Sequence, residues 1–507
     1  MVRVVAMALL LLLTLVAAVV FGGEFSASVS ASPSLKPPSP SRVLWFDQTL
    51  DHFEFSSNAT FQQRVFTYDE HWKTADGPLL VYFGNEGALE DFWNNTGFMF
   101  ELAPQVDARI VFVEHRFYGS TLPFGAASYD DENLVFLTIE QALADMAQIL
   151  GRKTSFLNAS SESKVVLFGG SYGGMLAAWF MQKYPQLANG ALAASAPVDI
   201  YPGEGKAKAF FDAGMYVYGK FGSSACESWI REALLRVQRL GSSVKGRKTL
   251  DDQFHSCEGV RSELDAEKLL FYVNGGLSTM AMVDYPFAAN FVTPMPANPV
   301  AYACNATRFL SASSSDSALI AGLNTAVNVF VNFSSQLQCH NISKELLASS
   351  PLTSRHYFSS PPAGLGDITR PWNYQACTEL ILEPLTSDGD GFFVPLPSQV
   401  PSVVAACKRL FPGIQARPKW MLETFGDGIQ IVKTTRNIIF SDGEKDPWRV
   451  GGVPNNASLI GDGSVRHILI ENGAHHQDLR YSDSRNPIEV EQAKKLETDI
   501  IKRWVSS

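Results

Sequence analysis

The sequence lacks several features that would point to particular classes of protein. It contains no long basic run and carries a formal net charge of −10, which argues against a nucleic-acid partner. Its six cysteines include no C-x-x-C pair, so neither zinc nor thiol redox chemistry is indicated, and we predict no metal and no cofactor. It shows no internal repeat. Beyond residue 21, no uninterrupted apolar run approaches the length of a membrane span.

An apolar segment is nevertheless present at the N-terminus. Arg3 precedes the run Val4–Phe21, and small residues follow it, which is the layout of a secretory signal peptide. We expect residues 1–23 to be the signal peptide and residues 24–42, rich in serine and proline, to be a leader. An uncleaved signal anchor is the alternative, but no basic stop-transfer cluster follows the run. After cleavage we expect no stable membrane insertion.

The secretory route predicts glycans and disulfides, and the sequence has residues for both. Seven N-x-[ST] sequons make a glycoprotein the better interpretation. They lie at Asn58, Asn94, Asn158, Asn305, Asn332, Asn341 and Asn456. The even number of cysteines favours three disulfides in an oxidising compartment.

The first part of the chain alternates short apolar runs with a helical pattern. The strand candidates are Leu79–Phe83, Ile110–Glu114, Val165–Phe168 and Gly190–Ala194. Continuous apolar runs suit strands that are buried on both faces of a parallel sheet. Between the second and third candidates, Thr138–Leu150 carries a capping pattern and an apolar helical face. This alternation predicts an α/β fold with a doubly wound sheet.

The alternation stops at about residue 201 and returns after residue 415. The stretch 201–415, which we call the cap, holds all six cysteines and irregular proline-rich pieces, and we expect it to be a mainly helical insertion held by disulfides. The resumed pattern comprises the strands Asn437–Phe440 and His467–Ile470 and the helix Ile488–Trp504. The prediction is one α/β domain built from two segments, residues 43–200 and 416–507, with the cap between them.

The sequence Gly169-Gly170-Ser171-Tyr172-Gly173 raises the first question of function. It fits G-x-S-x-G, and an apolar strand precedes it while a helix follows at once. In a nucleophile elbow the serine occupies a strained turn, where neighbouring side chains would clash. A glycine-rich turn that only packs or binds phosphate is the alternative. The strand–turn–helix context favours Ser171 as a nucleophile.

A nucleophilic serine needs a base, and the base needs an orienting carboxylate. In α/β-hydrolases these groups follow the serine in the order acid, then histidine, on loops after later strands. Asp442 and Asp446 follow one late strand candidate, and His475 and His476 follow the next. Only nine histidines occur, so two together in this loop are informative. The alternatives are that the aspartates cap a turn and that the histidines are solvated.

Several blocks of sequence carry a resemblance to a known family. They are GNEG (Gly84–Gly87), EHRFYG (Glu114–Gly119), GGSYGGMLAAWF from Gly169, YQACTE (Tyr374–Glu379), DPW (Asp446–Trp448) and GAHH (Gly473–His476). In this order they resemble the lysosomal Pro-X carboxypeptidase and dipeptidyl peptidase II family, over nearly the whole chain after Asp47. The resemblance implies an α/β-hydrolase fold and a serine exopeptidase that cleaves short peptides after proline. It implies a location in an acidic compartment, a lysosome or vacuole, or outside the cell.

The resemblance assigns catalytic roles to individual residues. It implies that Ser171 is the nucleophile, Asp446 the orienting acid and His475 the base. Geometry alone does not choose between His475 and His476, although neighbouring side chains in an extended loop point apart and only one can meet the serine.

The same resemblance implies an oxyanion hole. The backbone N–H of Tyr172 should supply one donor, as the geometry of an elbow also suggests. The second donor should come from the loop Gly84–Gly87, which contains Asn85 and Glu86.

The cap is expected to supply the specificity pocket. Its stretches Met282–Phe287 and Trp372–Gln375 are apolar and aromatic, and a prolyl ring packs well on aromatic faces. The substrate-binding candidates are Met282, Tyr285, Trp372, Tyr374, Gln375, Trp448, His476 and Arg480. The alternative for each aromatic residue is a place in the core of the cap.

The direction of attack stays open. Removing one C-terminal residue requires a cationic group for the substrate carboxylate, whereas removing an N-terminal dipeptide requires an acid for the substrate amine. The chain offers His476 and Arg480 for the first and Glu86 and Glu379 for the second.

The resemblance also implies a pattern of disulfides and shows some departures. The implied pairs are Cys226–Cys304, Cys257–Cys339 and Cys377–Cys407. A further pair of the carboxypeptidase branch is absent here, which favours the dipeptidyl branch. The departures are Asp442, where the family usually has asparagine, and Lys445 and Gln477, where it usually has leucine. None of them removes a catalytic group.

The sequence therefore predicts a secreted or lysosomal serine exopeptidase with a preference for proline before the cut. One alternative is a non-catalytic, α/β-hydrolase-like binding glycoprotein, although such proteins usually lack a member of the triad. The other is a secreted esterase, against which the extended resemblance argues. We expect peptide substrates as partners and leave a homodimer open.

Overall fold

The computed structural model describes residues 36–202, 206–342, 369–381 and 400–506. The predicted signal peptide (1–23) and residues 24–35 of the predicted leader lie outside the described residues. The first strand begins at Arg42, the last residue of the predicted leader.

The secondary structure alternates strands and helices at both ends of the chain. The strands are β1 (Arg42–Thr49), β2 (Thr60–Tyr68), β3 (Leu79–Phe83), β4 (Arg109–Val113), β5 (Val165–Gly170), β6 (Gly190–Ala194), β7 (Ala289–Asn290), β8 (Pro294–Met295), β9 (Ile438–Gly443) and β10 (Arg466–Ile470). The helices before the cap are α1 (Leu89–Trp93), α2 (Phe98–Val106), α3 (Asp131–Leu134), α4 (Ile139–Gly151), α5 (Lys153–Phe156) and α6 (Tyr172–Lys183). The later helices are α7 (Lys206–Val217), α8 (Ser224–Gly241), α9 (Val244–Phe254), α10 (Glu263–Met282), α11 (Pro299–Ala306), α12 (Asp316–Val331), α13 (Thr369–Thr378), α14 (Val400–Leu410), α15 (Trp420–Phe425), α16 (Gly428–Thr434) and α17 (Ile488–Ser506).

Eight of these strands form one mixed sheet in the order β1-β2-β4-β3-β5-β6-β9-β10. β2 runs antiparallel to both of its neighbours, β1 and β4, whereas the other neighbours pair in parallel. Val81 of β3 lies opposite Val111 of β4 and Leu167 of β5. This strand order is that of the α/β-hydrolase fold. The predicted fold class is therefore confirmed.

The two antiparallel strands β1 and β2 were not predicted. Neither strand contains the continuous apolar run that predicted the others. In β1 alternate residues are exposed, and in β2 several of the buried residues are polar. Gln63 of β2 is buried and donates from Nε2 to the backbone oxygen of Glu114 at 2.8 Å. Arg64 is also buried and donates to both oxygens of the Glu114 carboxylate. Gln63 and Arg64 can be buried because both are hydrogen-bonded to Glu114. Glu114 is distant in sequence, so no local pattern predicted β2.

The core lies on both faces of the sheet, because successive strand residues point to opposite sides. On one face Val81 and Leu167 pack with residues of α4 and α6. On the other face Leu80 and Phe168 pack with residues of α2 and α17. The apolar runs that predicted buried strands therefore fill two separate clusters.

Between β6 and β9 the described residues are mainly helical, apart from the short hairpin β7–β8. Three disulfides lie here: Cys226–Cys304 joins α8 to α11, Cys377–Cys407 joins α13 to α14, and Cys257–Cys339 joins two loops. These are the pairs that the resemblance implies. Within the described part of the chain, no helix is long and apolar enough to cross a membrane.

Candidate active site

Ser171 lies at a sharp turn between β5 and α6. Its backbone has φ +57° and ψ −124°, a conformation that side-chain-bearing residues rarely adopt, and its N–H donates to the Ala194 oxygen at 2.9 Å. The glycines that flank Ser171 are required because a side chain at their positions would clash. A methyl group on Gly169 would lie 2.0 Å from the oxygen of Gly173, and one on Gly173 would lie 2.3 Å from Oδ1 of Asn85. The turn therefore has the geometry of a nucleophile elbow.

Asp446 and His475 form a buried pair on the loops after β9 and β10. Nδ1 of His475 lies 2.5 Å from Oδ2 of Asp446, and neither side chain is exposed to solvent. The other carboxylate oxygen of Asp446 accepts from the N–H of Trp448 at 3.0 Å. Because an ionised carboxylate only accepts, Nδ1 of His475 carries the proton and Nε2 has its lone pair free. Nε2 is buried and has no hydrogen-bond partner among the described residues.

The backbone of His475 is held by the end of α10 and the residues after it. Its N–H donates to the oxygen of Met282 at 2.9 Å, and its oxygen accepts from the hydroxyl of Tyr285 at 2.9 Å. The structure thus places two predicted substrate-binding residues, Met282 and Tyr285, against the predicted base.

His476 contacts the elbow from the same loop. Its ring packs against the backbone before Ser171, since a methyl group on Gly170 would lie 3.0 Å from Cδ2 of His476. Its N–H donates to Oγ of Ser195 at 2.7 Å. Burial, then the neighbouring His475 and Arg480, lower the pKa of His476 well below its usual value. The ring is therefore neutral and does not supply a positive charge.

Arg480 supplies a positive charge beside the histidine pair. Its guanidinium donates to the hydroxyl of Tyr285 and to Oδ1 of Asn95, both at 2.9 Å. It also lies 4.1 Å from the centroid of the Tyr285 ring and 4.8 Å from that of Phe291. Its Nε atom is buried without a partner among the described residues. The Nε–H donor of this cation thus remains unused.

The loop Gly84–Gly87 is bonded to the elbow. Asn85 donates from Nδ2 to the oxygen of Gly170 at 2.7 Å and accepts at Oδ1 from the hydroxyl of Tyr82 at 2.9 Å. Glu86 follows it and is buried, which raises the pKa of its carboxyl to about 7. Its Oε2 atom has no partner within the described part of the protein. The predicted second oxyanion loop therefore lies beside Ser171 and carries a buried acid.

A hydrogen-bond chain joins the cap to Tyr172, the residue after Ser171. Gln375 of α13 donates from Nε2 to the Tyr172 hydroxyl at 2.8 Å and accepts at Oε1 from the hydroxyl of Tyr118 at 2.6 Å. Tyr172 in turn lies 3.0 Å from Nε2 of His115. Burial lowers the pKa of His115 to about 4, so this ring is neutral.

The remaining candidates from the cap and its surroundings lie in different places. Trp372 packs edge-on against Tyr172 with ring centroids 5.6 Å apart, close to the elbow. Tyr374 packs against Phe411 in a separate apolar cluster. Trp448 packs against Phe210 at 4.7 Å. Tyr374 and Trp448 thus have packing partners typical of core residues.

The carboxylate of Glu379, which the sequence offered as an acid for a substrate amine, is already hydrogen-bonded within the protein. Its Oε2 accepts from the N–H of Ile139 at the start of α4 at 2.9 Å, and its Oε1 pairs with Arg417 at 3.1 Å. It therefore stabilises a helix N-terminus.

The sequence did not single out several polar residues of this site. Ser195 and His115 follow strands β6 and β4, and a position at the end of a strand in such a sheet is a signal that could have found them; His115 also lies in the block Glu114–Gly119. The buried ion pair of Lys445 with Asp284 gave no signal, because its members are 161 residues apart.

Comparisons with known proteins identify the family of this chain. Residues 48–497 match the family described as serine carboxypeptidase S28. The lysosomal Pro-X carboxypeptidase of Bos taurus is 36% identical over 98% of this chain and 97% of that protein. The human protein of the same name is 37% identical over 91% of this chain and 88% of that protein. Human thymus-specific serine protease is 29% identical over 87% of this chain and 83% of its own length.

Among solved structures, proline iminopeptidase of Mycobacterium smegmatis matches 88% of this chain and 96% of its own, with 11% identity and a TM-score of 0.37. The family match and the identity to the carboxypeptidases extend over nearly the entire chain. The chain belongs to the serine carboxypeptidase S28 family and is a serine peptidase.

Proposed function

We propose that this peptidase removes the C-terminal residue from short peptides that have proline before the cut, with Ser171, His475 and Asp446 as its catalytic triad. The observation that carries the proposal is the fully buried His475–Asp446 pair at 2.5 Å, on a loop that packs against the strand leading into Ser171. A carboxylate on Nδ1 leaves Nε2 as the base, which is what a serine nucleophile requires.

The mechanism follows from these positions. Nε2 of His475 accepts the proton of Ser171 Oγ as the oxygen attacks the prolyl carbonyl, and Asp446 stabilises the imidazolium that forms. The backbone N–H of Tyr172 and one from the loop Gly84–Gly87 donate to the oxyanion. His475 then protonates the leaving amine, and the prolyl residue stays on Ser171 as an ester. Water, activated by His475, hydrolyses this ester and restores the enzyme.

The carboxypeptidase direction is favoured by a charge and by the relatives. Arg480 offers a cation with an unused donor next to the histidine pair, which suits a terminal carboxylate. The similar proteins with 36–37% identity are named Pro-X carboxypeptidases. This choice goes against the missing disulfide pair, which favoured the dipeptidyl branch. Glu86, with its free Oε2, is the group that would bind a substrate amine if the direction were reversed.

The preference for proline is attributed to aromatic side chains near the elbow. Trp372 lies edge-on to Tyr172, and a flat prolyl ring can pack against such faces without leaving an N–H unpaired.

We further propose that the protein enters the secretory pathway and acts in a lysosome or vacuole or outside the cell. The lysosomal names of the relatives support this, as do the sequons. Among these, the side chains of Asn58, Asn94, Asn158, Asn305 and Asn456 are exposed, and those of Asn332 and Asn341 are half-buried.

Two substrates test the direction of attack. Purified protein should release phenylalanine from an N-blocked Xaa-Pro-Phe peptide and should leave a free-amine Xaa-Pro reporter intact. Cleavage of the reporter alone would reverse the direction and favour Glu86 as a binding residue. Cleavage of neither peptide, with hydrolysis of a simple ester, would favour the esterase alternative.

A fluorophosphonate probe tests the nucleophile. It should modify Ser171, and Ser171→Ala should abolish labelling and peptide hydrolysis together. Labelling that persists in a folded Ser171→Ala protein would show that another serine is the nucleophile. An unlabelled and inactive wild type would favour the binding-glycoprotein alternative.

A further inference from the structure

A lysine lies buried directly before the predicted orienting acid. Lys445 donates from Nζ to Oδ2 of Asp284 at 2.8 Å and to the backbone oxygen of Asp284 at 3.1 Å. The two side chains are only 6% and 1% exposed, so the pair is shielded from solvent. The ammonium also lies 4.5 Å from the centroid of the Phe221 ring. Lys445 therefore makes fixed contacts and is not a solvated surface lysine.

Asp284 lies within the cap segment that holds the predicted base. Met282, two residues before it, accepts from the N–H of His475, and Tyr285, directly after it, donates to the His475 oxygen. The second carboxylate oxygen of Asp284 accepts from the N–H of Val300 at 3.1 Å. Both carboxylate oxygens are thus bonded, and the segment 282–285 is tied to its surroundings at several points.

The ion pair closes a ring of contacts around the predicted acid and base. Lys445 is covalently next to Asp446, and its backbone N–H donates to the oxygen of Gly473 at 2.9 Å. Asp446 bonds His475, His475 is held by the segment 282–285, and that segment is bonded back to Lys445 through Asp284. A displacement of the segment would move His475 relative to Asp446 unless the ion pair opposed it.

We propose that the buried Lys445–Asp284 ion pair is a positioning element of this peptidase, which holds the segment 282–285, and through it His475, in register with Asp446. The proposal rests on the proposed triad. A neutral leucine at position 445 could fill the space but could not bond Asp284. Charge-assisted hydrogen bonds are short and directional, and small displacements of a catalytic group reduce the rate strongly.

The test must separate positioning from stability. Lys445→Met alone leaves a buried, unpaired carboxylate and is expected to destabilise the fold. The double variant Lys445→Met/Asp284→Asn removes both charges with little change of shape, so it should unfold close to the wild-type temperature. We expect its kcat on an N-blocked Xaa-Pro-Phe peptide to fall by about 10–100-fold with KM within about threefold.

The division of the effect between kcat and KM supplies a readout that stability alone would not move. If the ion pair positions the base, the folded double variant should lose kcat while its KM stays close to that of the wild type. A folded double variant with wild-type kcat would overturn the proposal.

Conservative and remote variants complete the experiment. Lys445→Arg keeps a cation against Asp284 and should retain a kcat at least tenfold above that of Lys445→Met; equal values would also overturn the proposal. Lys268→Met/Asp265→Asn removes a lysine–aspartate pair near the start of α10, about 21–26 Å from the end of that helix at 1.5 Å per residue, and should leave kcat unchanged. Ser171→Ala is assayed in parallel: activity that survives it would refute the triad itself, whereas an inactive Ser171→Ala beside a normal double variant would refute only the positioning role.

Discussion

Gln375, on helix α13 of the cap, donates a hydrogen bond of 2.8 Å to the hydroxyl of Tyr172, the residue that follows Ser171. The two residues are 203 positions apart in sequence, and both are buried. The side-chain oxygen of Gln375 accepts from the hydroxyl of Tyr118, which lies in the loop after β4. The cap is therefore bonded directly to the residue whose backbone N–H is the predicted oxyanion donor.

Gln375→Leu should weaken both stability and reactivity. It leaves the Tyr118 hydroxyl buried without this partner, which costs about 1–3 kcal/mol, and it releases one restraint on Tyr172. We expect a lower unfolding temperature and a rate of fluorophosphonate labelling about tenfold slower, because the elbow is less well held. Gln415→Leu, at an exposed glutamine of the cap, serves as control. A normal labelling rate in a destabilised Gln375→Leu would limit this network to a structural role.

Mutating the two adjacent histidines should reduce kcat by very different factors. His475→Ala removes the predicted base and should reduce kcat by a factor on the order of 10⁴–10⁶. His476 contacts Ser195 and the backbone before Ser171, so His476→Ala should misplace groups and reduce kcat by only about 10–100-fold. Labelling by the probe should survive in His476→Ala. The opposite ranking, in folded proteins, would make His476 the base.

Arg480 should distinguish a substrate carboxylate from an amide. The wild type should prefer an N-blocked Xaa-Pro-Phe peptide over the same peptide with a C-terminal amide by about 10–100-fold in kcat/KM, the size expected of a charge-assisted contact. Arg480→Met should remove most of this preference, because the enzyme then has no cation at this position to bind the C-terminal carboxylate. Glu86→Gln should leave the preference intact. If Arg480→Met slowed both peptides equally, Arg480 would act only through Tyr285, to which it is bonded.

The unfolding free energy should fall as the pH rises from 6.5 to 8. Burial, together with the charge of Asp478, raises the pKa of Glu497 well above its usual value, and burial raises that of Glu86 to about 7. At these two carboxyls the folded protein binds more protons than the unfolded chain above about pH 4.5, so their contribution to stability declines with rising pH until the folded pKa is passed. Burial has the opposite effect on His115 and His340, whose pKa of about 4 favours the folded state as the pH rises to 6.5. In the unfolded chain these histidines are half protonated at about pH 6.5 and lose their remaining protons by about pH 7.5, above which the acids dominate the slope.

Thermal denaturation at several pH values checks this expectation. Each proton of difference contributes about 1.4 kcal/mol per pH unit. Glu497→Gln should flatten the decline, and Asp499→Asn, at an exposed acid on the same helix, should leave it unchanged. A decline of wild-type steepness in Glu497→Gln would show that Glu497 ionises normally in the folded protein.

Much of the sheet could be predicted because its parallel strands are continuous apolar runs. Leu79–Phe83 and Gly190–Ala194 have the predicted bounds, and the remaining four predicted strands are present with ends shifted by a few residues. Half of the predicted capping box before α4 is present, since Thr138 accepts from the N–H of Gln141, whereas the Gln141 side chain bonds Asp51 and the N–H of His52. These features depend on residues close together in sequence.

The sequence by itself determined the order of the sheet elements, the elbow around Ser171 and the two loops that carry Asp446 and His475, because apolar periodicity and glycine spacing are local properties of the chain. Only the tertiary structure decided which groups meet. The antiparallel pairing of β2 with β4, the contact of Gln375 with Tyr172 and the bond of Lys445 to Asp284 each depend on pairing between distant segments. A buried polar residue is stable only beside a suitable partner, and no local pattern states where that partner lies.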